Sequence, residues 1–245
     1  MRMPVQARRL LAAVLLLSAA GLGGCATVSP GRAAAAVPDD PLEGLNRGVF
    51  EVNQAIDASI ARPVAAAYSG NVPADLRQGL SNALSNLREP YSFVNDLLQA
   101  RSCQAAEALI RFLVNSTVGI AGVFDVAGDH LGIGHHDNDF GLTLAAWGIP
   151  DGPYLVLPLL GPSNLRDAGG AVLEWFAEPV DLAFAEAGVD YLSYVRAGLE
   201  ALDDRADALK DLDHLNATAL DRYAAYRSAA RQSRTRAQRA PRCQL

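Results

Sequence analysis

The run Val118-Gly-Ile-Ala-Gly-Val-Phe-Asp-Val-Ala127 decides between two ways of folding this chain. It is apolar on nearly all sides apart from Asp125, and it contains Gly119 and Gly122. It is too short to cross a bilayer, which takes about 20 apolar residues. It fits a helix buried in an ordinary core, or an interfacial helix lying within one leaflet. Helical periodicity dominates on either side. Leu42, Leu45, Val49, Val52, Ile56 and Ile60 step by three or four, as do Leu76, Leu80, Leu84 and Leu87. Arg62-Pro63 interrupts the first series, Pro73 stands where a first helical turn tolerates it, and Pro90 closes the second. Ser102 is placed to cap a helix running through Leu109, Phe112, Leu113 and Ser116. Tyr154 to Leu160 (YLVLPLL) reads as an extended, edge-like segment, because Pro158 excludes a central strand. A helix is expected after Ser163-Asn164, carrying Val172, Leu173, Trp175 and Phe176, and a last one from about Tyr191 to Tyr226.

Composition narrows the class. Of 245 residues half are hydrophobic and a fifth charged, which excludes a disordered chain. Three cysteines cannot staple 245 residues, which excludes a disulfide miniprotein. The formal charge is -6, but it is unevenly spread. Residues 25–221 hold 27 acids against 11 bases, while seven arginines and no acid follow from Arg222. Such an acidic body repels nucleic acid. The basic stretch 227–245 reads as a disordered, solvated tail.

The N-terminus is an address. Arg2, Arg8 and Arg9 precede the apolar run Leu10 to Ala20, and Leu22-Gly-Gly-Cys25 follows. Residues 1–24 have the form of a removed signal peptide. Leu-Gly-Gly-Cys resembles a bacterial lipobox, which implies that Cys25 is acylated and becomes the first residue of the mature protein, since two or more acyl chains give stable anchoring. Residues 25–40, rich in Ala, Pro and Gly, read as a flexible tether, and 41–226 as the folded domain. Cys103 and Cys243 are open to either state, free thiols or a disulfide.

No catalytic pattern stands out. His130, His135, His136, Asp137 and Asp139 form the densest polar cluster, yet they match no metal motif and fit a polar loop. There is no Gly-x-Ser-x-Gly elbow. A Ser163, His136 and Asp167 triad is open on sequence alone, although Ser163 fits a helix N-cap better. No phosphate-binding loop or dinucleotide fingerprint occurs.

Four ordered blocks resemble the MlaA (VacJ) family of outer-membrane lipoproteins. They are Asp40-Pro-Leu-Glu-Gly-Leu-Asn-Arg47 with Arg62-Pro-Val-Ala65; Val72-Pro73, Arg77, Gly79-Leu-Ser-Asn82, Asn86-Leu87 and Glu89-Pro90; Arg111-Phe-Leu-Val-Asn115 to Gly122-Val-Phe-Asp-Val-Ala127; and Asp139-Phe-Gly141, Thr143-Leu144, Trp147-Gly148, Gly152-Pro-Tyr154, Leu157-Pro158 and Gly161 to Arg166-Asp167. Leu142 and Ala145 depart from the family pattern. The resemblance implies an all-α, ring- or disc-shaped protein with short membrane-embedded amphipathic helices and a central channel. It implies an outer-membrane lipoprotein anchored in the periplasmic leaflet through Cys25. Its expected role is non-enzymatic: mislocalised phospholipid leaves the outer leaflet and passes to a periplasmic carrier, which maintains asymmetry. A trimeric porin and a soluble periplasmic lipid carrier are the implied partners, with no cofactor, no metal and no nucleic acid. Asn46, Arg47, Phe50, Arg166 and Asp167 are the expected channel residues, and Ile120, Val123, Phe124 and Val126 the expected membrane-facing ones. A lipid hydrolase and a purely structural envelope scaffold are the competing readings.

Overall fold

The computed structural model describes residues 40–239 and Cys243. The signal peptide, Cys25 and nearly all of the tether lie outside the described residues. The chain is mostly helical, with one small departure from an all-α fold: Tyr154–Leu157 (β1) pairs antiparallel with Gly161–Asn164 (β2). The N-terminal helix α1 (Glu43–Ile56) passes through a π-helical turn at Asp57–Ala61 straight into α2 (Arg62–Asn71). Pro63 therefore does not interrupt the helical path; it is the second residue of α2, directly after the π-helical turn. Next come α3 (Ala74–Leu98), α4 (Ser102–Thr117), α5 (Val126–Leu131) and α6 (Phe140–Ala146). After the hairpin follow α7 (Leu165–Ala177), α8 (Pro179–Glu186), α9 (Tyr191–Asp207), α10 (Leu209–Thr218) and α11 (Arg222–Gln238).

Several expectations are corrected. Pro90 does not close a helix; it lies inside α3, which runs on to Leu98. Val118–Phe124 is not helical. It is a tight turn with positive φ at Ile120, Ala121 and Gly122, folded back so that the Gly122 N–H donates to the Asn115 carbonyl at 2.8 Å. Glycine is required at 122, because a Cβ there would lie 2.6 Å from that of Asn86. The single last helix is three, broken at Ala208 and again at Ala219–Asp221. The basic segment is not disordered as far as Gln238: it is most of α11, whose N-cap Asp221 accepts from the Ala224 N–H. Cys103 and Cys243 are joined as a disulfide with Cα atoms 6.0 Å apart, tying the chain's end to α4. The cap of α7 is Asn164, not Ser163: its side chain accepts from the Asp167 N–H at 2.9 Å. Ser102 is not a cap either, since it is the first residue of α4, after Arg101, and no side-chain cap bond is made there.

Two kinds of interior hold these elements. The smaller is aromatic: Phe50, Tyr154, Val156 and Tyr223 form a buried cluster, with Phe50 edge-on to Tyr223 and Tyr226 at 5.7 and 5.2 Å. The larger, between α3, α4 and residues 125–143, is polar. Arg111 pairs with Glu89 at 2.5 Å with both side chains buried, and it donates also to the Ile133 carbonyl and to Asp125. Asn115 donates to Asp125 and accepts from the Ala127 N–H, both at 2.9 Å. His136 meets Asp96 at 2.7 Å, Asn138 donates to Asp96, and Thr143 donates to Asn95. The largest fully buried side chains are all polar, led by Glu89, Asn46, Asn86, Asn95 and Asn115.

The apolar residues meanwhile face out. Leu45, Val52 and Ile60 on the first helical path, Leu76 on α3 and Leu113 on α4 are all exposed. Replacing Arg111 by Met strands the Glu89 carboxylate in the interior. It is expected to cost about 3–5 kcal/mol, whereas Leu113→Ala on the outward face is expected within about 0.5 kcal/mol; urea denaturation in detergent micelles measures both.

Candidate functional site

A cavity of about 1060 Å³ lies between the hairpin, α7 and the C-terminal half of α11. Its wall carries Arg88, Asp139, Asp167, Glu174 and Arg234 among other residues. Each is positioned by a local rule. Asp139 is the N-cap of α6 and accepts from the Leu142 N–H at 2.8 Å. Asp167 sits in the first turn of α7, where its charge suits the helix dipole, and accepts from Asn164 Nδ2 at 2.7 Å. Arg234 crosses from α11 to both, donating to Asp139 Oδ1 at 2.8 Å and pairing with Asp167 at 2.6 Å. Burial opposes the Arg234 charge, but these two carboxylates keep its pKa above the ordinary arginine value. α6 and α7 approach closely enough for this because Gly141 and Gly170 touch: a Cβ on Gly170 would fall 2.6 Å from the Gly141 nitrogen.

Beyond this clamp the groups are acidic. Burial, reinforced by the charge of Asp139, pushes the Glu174 carboxyl up to about 7. Burial likewise raises Glu178, Glu200 and Asp204. Arg88 faces Asp137 at 3.5 Å; burial opposes its charge, while Asp137, Glu200, Glu174 and Asp204 favour it and leave its pKa raised.

The expected site residues separate. Only Asp167 of the five channel candidates lines the cavity. Arg166 is buried behind it, held by Asp151, the Ile149 carbonyl and Asp167. Asn46 works on the fold. Its amide donates to the Tyr154 carbonyl at 3.0 Å and accepts from the Val156 N–H at 2.9 Å, so it pairs with β1 as a third strand would. Asn53, two helical turns on, repeats this with the Leu157 carbonyl and the Leu159 N–H, each at 2.9 Å. Phe50 belongs to the aromatic cluster, and Arg47 pairs with Glu43 and Asp221 while lying 4.4 Å over the Tyr223 ring. Of the membrane-facing candidates, Ile120 and Phe124 are 64% and 58% exposed, Val123 is also exposed and Val126 is half-buried.

The triad does not assemble: Ser163 donates to the Asn164 carbonyl, His136 pairs with Asp96, and Asp167 with Arg166 and Arg234. Nor does the histidine cluster converge. His135 bonds Glu89 and Asp137, His136 bonds Asp96, and Asp139 holds Arg234. Sequence reading missed Arg88, Glu174 and Arg234. A signal existed for Glu174, an acid alone in the run Ala171-Val-Leu-Glu-Trp-Phe-Ala177.

Fold and site together define a helical body with buried polar and charged groups and many exposed apolar side chains. The chain belongs to the MlaA lipoprotein family, whose family model matches residues 38–237. It is 36% identical over 233 residues to the intermembrane phospholipid transport system lipoprotein MlaA of Escherichia coli K12, covering 88% of this chain and 85% of that one. The protein of the same name in Haemophilus influenzae is 32% identical over 221 residues, covering 87% and 84%. An uncharacterized protein of Rickettsia bellii is 33% identical over 200 residues, covering 80% and 75%. A solved structure from work on the structural basis for maintenance of bacterial outer membrane lipid asymmetry matches with a TM-score of 0.70 at 33% identity, covering 81% of this chain and 98% of that one.

The raised Glu174 pKa carries a stability consequence. Its charged form is disfavoured in the folded state, so the group destabilises the protein above pH 7, and this effect fades as pH falls through 7 towards the unfolded value of 4.5. Glu174→Gln is therefore expected to raise Tm at pH 8 and leave it nearly unchanged at pH 5, as read by differential scanning fluorimetry.

Proposed function

We propose that this protein is a non-enzymatic conduit for phospholipid. It removes lipid that has strayed into the outer leaflet of the outer membrane and hands it to a soluble periplasmic carrier. The observation that carries the reading is the inverted polarity. Trp175, Leu159 and Leu160 are each about three-quarters exposed, while the largest fully buried side chains are polar. Water would penalise such a surface, whereas hydrocarbon stabilises it. No described helix is long and apolar enough to cross a membrane. The continuous path from α1 into α2 is long enough for a hydrocarbon core of roughly 30 Å, but Glu43, Arg47, Glu51, Asp57 and Arg62 along it make it amphipathic rather than apolar. Seating in one leaflet therefore suits these elements, with Val118–Phe124 as an apolar tip and acylated Cys25 as the anchor. In this reading the helices ring the charged cavity as a disc, and the cavity is the polar stretch of the path. A headgroup needs such a path, because polar groups left unpaired in hydrocarbon cost several kcal/mol each. Passage breaks no bond, which agrees with Ser163 and His136 lying on separate partners. A trimeric porin is the expected neighbour in the membrane.

Two measurements test the reading. Cys25→Ala is expected to shift the protein out of the outer-membrane fraction; unchanged fractionation refutes the anchor. Ala171→Trp places a ring in the cavity whose wall Ala171 forms. Expressed at normal level in a strain lacking the gene, it is expected to leave phospholipid at the cell surface and detergent sensitivity uncorrected. Full rescue by this blocked variant favours a scaffold that transports nothing.

A further inference from the structure

The charges on the cavity wall are unequally satisfied. Arg234 is held by Asp139 and Asp167, and Asp151 is taken up by Arg166. Arg231 is also engaged. Arg88 differs from these. Its nearest carboxylate is Asp137, 3.5 Å from Nε, and it makes no hydrogen bond among the described residues. Its planar fork, with several N–H donors, remains available for two parallel bonds to a phosphate. Glu174 lines the same cavity, and its carboxylate has no hydrogen bond or ion pair among the described residues, although it lies within the field of Arg88. A carboxylate taken out of water without a partner is costly, and a ligand cation relieves that cost. Arg88 and Glu174 thus face one space, opposite in sign and not paired with each other.

We infer that the cavity binds a phosphoethanolamine headgroup, its phosphate on Arg88 and its ammonium on Glu174. The inference rests on the conduit reading and names the substrate class of that same path. Both ends of this zwitterion find a partner. The anionic headgroup of phosphatidylglycerol satisfies Arg88 but leaves Glu174 bare, and it adds negative charge where Glu200 and Asp204 already bear on Arg88. The wall is therefore expected to discriminate by headgroup charge.

The test uses the acylated lipoprotein in detergent micelles at pH 8, with dihexanoyl phosphatidylethanolamine, dihexanoyl phosphatidylglycerol and inorganic phosphate as probes in isothermal titration. Phosphatidylethanolamine is expected to bind about tenfold tighter than phosphatidylglycerol, a factor within the range for one hydrogen-bonded charge. Glu174→Gln is expected to bring the two lipids within about twofold by weakening the first, and Arg88→Gln to weaken both about tenfold. Inorganic phosphate at equal concentration is expected not to displace the lipid. Equal affinities in the unaltered protein, a preference that survives Glu174→Gln, or phosphate competing as well as lipid each overturn the headgroup assignment. Should Arg88→Gln fail to fold, Glu174→Gln decides alone, since it removes a desolvated charge. Equal lipid binding together with a blocked Ala171→Trp strain removes the headgroup assignment and keeps the conduit. Rescue by Ala171→Trp removes the conduit itself.

Discussion

The buried Arg111–Glu89 ion pair is the constraint on which the rest of the structure depends. Two charges taken out of water need partners for their remaining donors and lone pairs. Arg111 finds them by reaching three segments at once: Glu89 on α3, the Ile133 carbonyl, and Asp125 at the head of α5. Asn115 and His135 add bonds to Asp125 and to Glu89 Oε1, while Glu89 Oε2 has no partner among the described residues. The stretch 125–139, α5 and the loop after it, is therefore held largely by side-chain bonds to α3 and α4, with Ala127 and Ile133 buried beside them. Because that stretch is fixed, Asp139 is delivered to the start of α6, where it caps the helix and receives Arg234.

A polar centre of this kind displaces hydrocarbon to the outside. The helical periodicity of α1 makes the point residue by residue. Leu42, Leu45, Val52 and Ile60 keep the spacing of an amphipathic helix, yet all four are exposed, while Asn46 is buried. Val49 and Ile56 of the same series are half-buried, Val49 against the aromatic cluster, so the stripe is real but turned mostly outward. The turn at Val118–Phe124 is the same inversion in miniature. Asn115 takes up the Gly122 and Ala127 N–H groups on the inner side, leaving Val118, Ile120 and Phe124 pointing out. Ile120, β-branched, is held at φ 53°, a conformation such residues rarely adopt. Strain of that sort persists where surrounding bonds over-determine it.

Much of this architecture was legible in the residues. The extended segment around Pro158 and the periodic helices follow from local chemistry, and the structure keeps them, whereas the caps expected at Ser102 and Ser163 each miss by one residue. Periodicity fails where tertiary bonds decide. It gives the width of an apolar face but not what lies against it, so the run 118–127 left core and leaflet open. Pro90 was misread as a stop because α3 is otherwise anchored by buried Glu89, Ser92, Asn95 and Asp96, whose partners across the fold carry the helix past the missing N–H. Arg234 was lost in a basic tail because its acceptors, Asp139 and Asp167, are 95 and 67 residues away in sequence and nothing local announces them. Asn46 was recognised as special from the family block, yet its work is to satisfy the free edge of β1. The Tyr154 carbonyl and the Val156 N–H receive from the Asn46 amide the donor and acceptor that a third strand would bring.

The two ends of the folded region meet for a related reason. Asp40 is buried. Burial opposes its charge, and bonds from Tyr223, Asn46 and Arg227 overcome that and keep its pKa low. The same helix that brings Tyr223 to Asp40 continues to Arg234, and thus forms one wall of the cavity while fastening the N-terminal segment. That wall is made of ion pairs rather than leucines, which has a physical consequence. An apolar cavity of about 1060 Å³ stays dry or collapses onto itself. Charges that are paired along the wall but still face the space require solvation and keep it open to water. The acids and arginines along this wall therefore favour a hydrated cavity over a collapsed one.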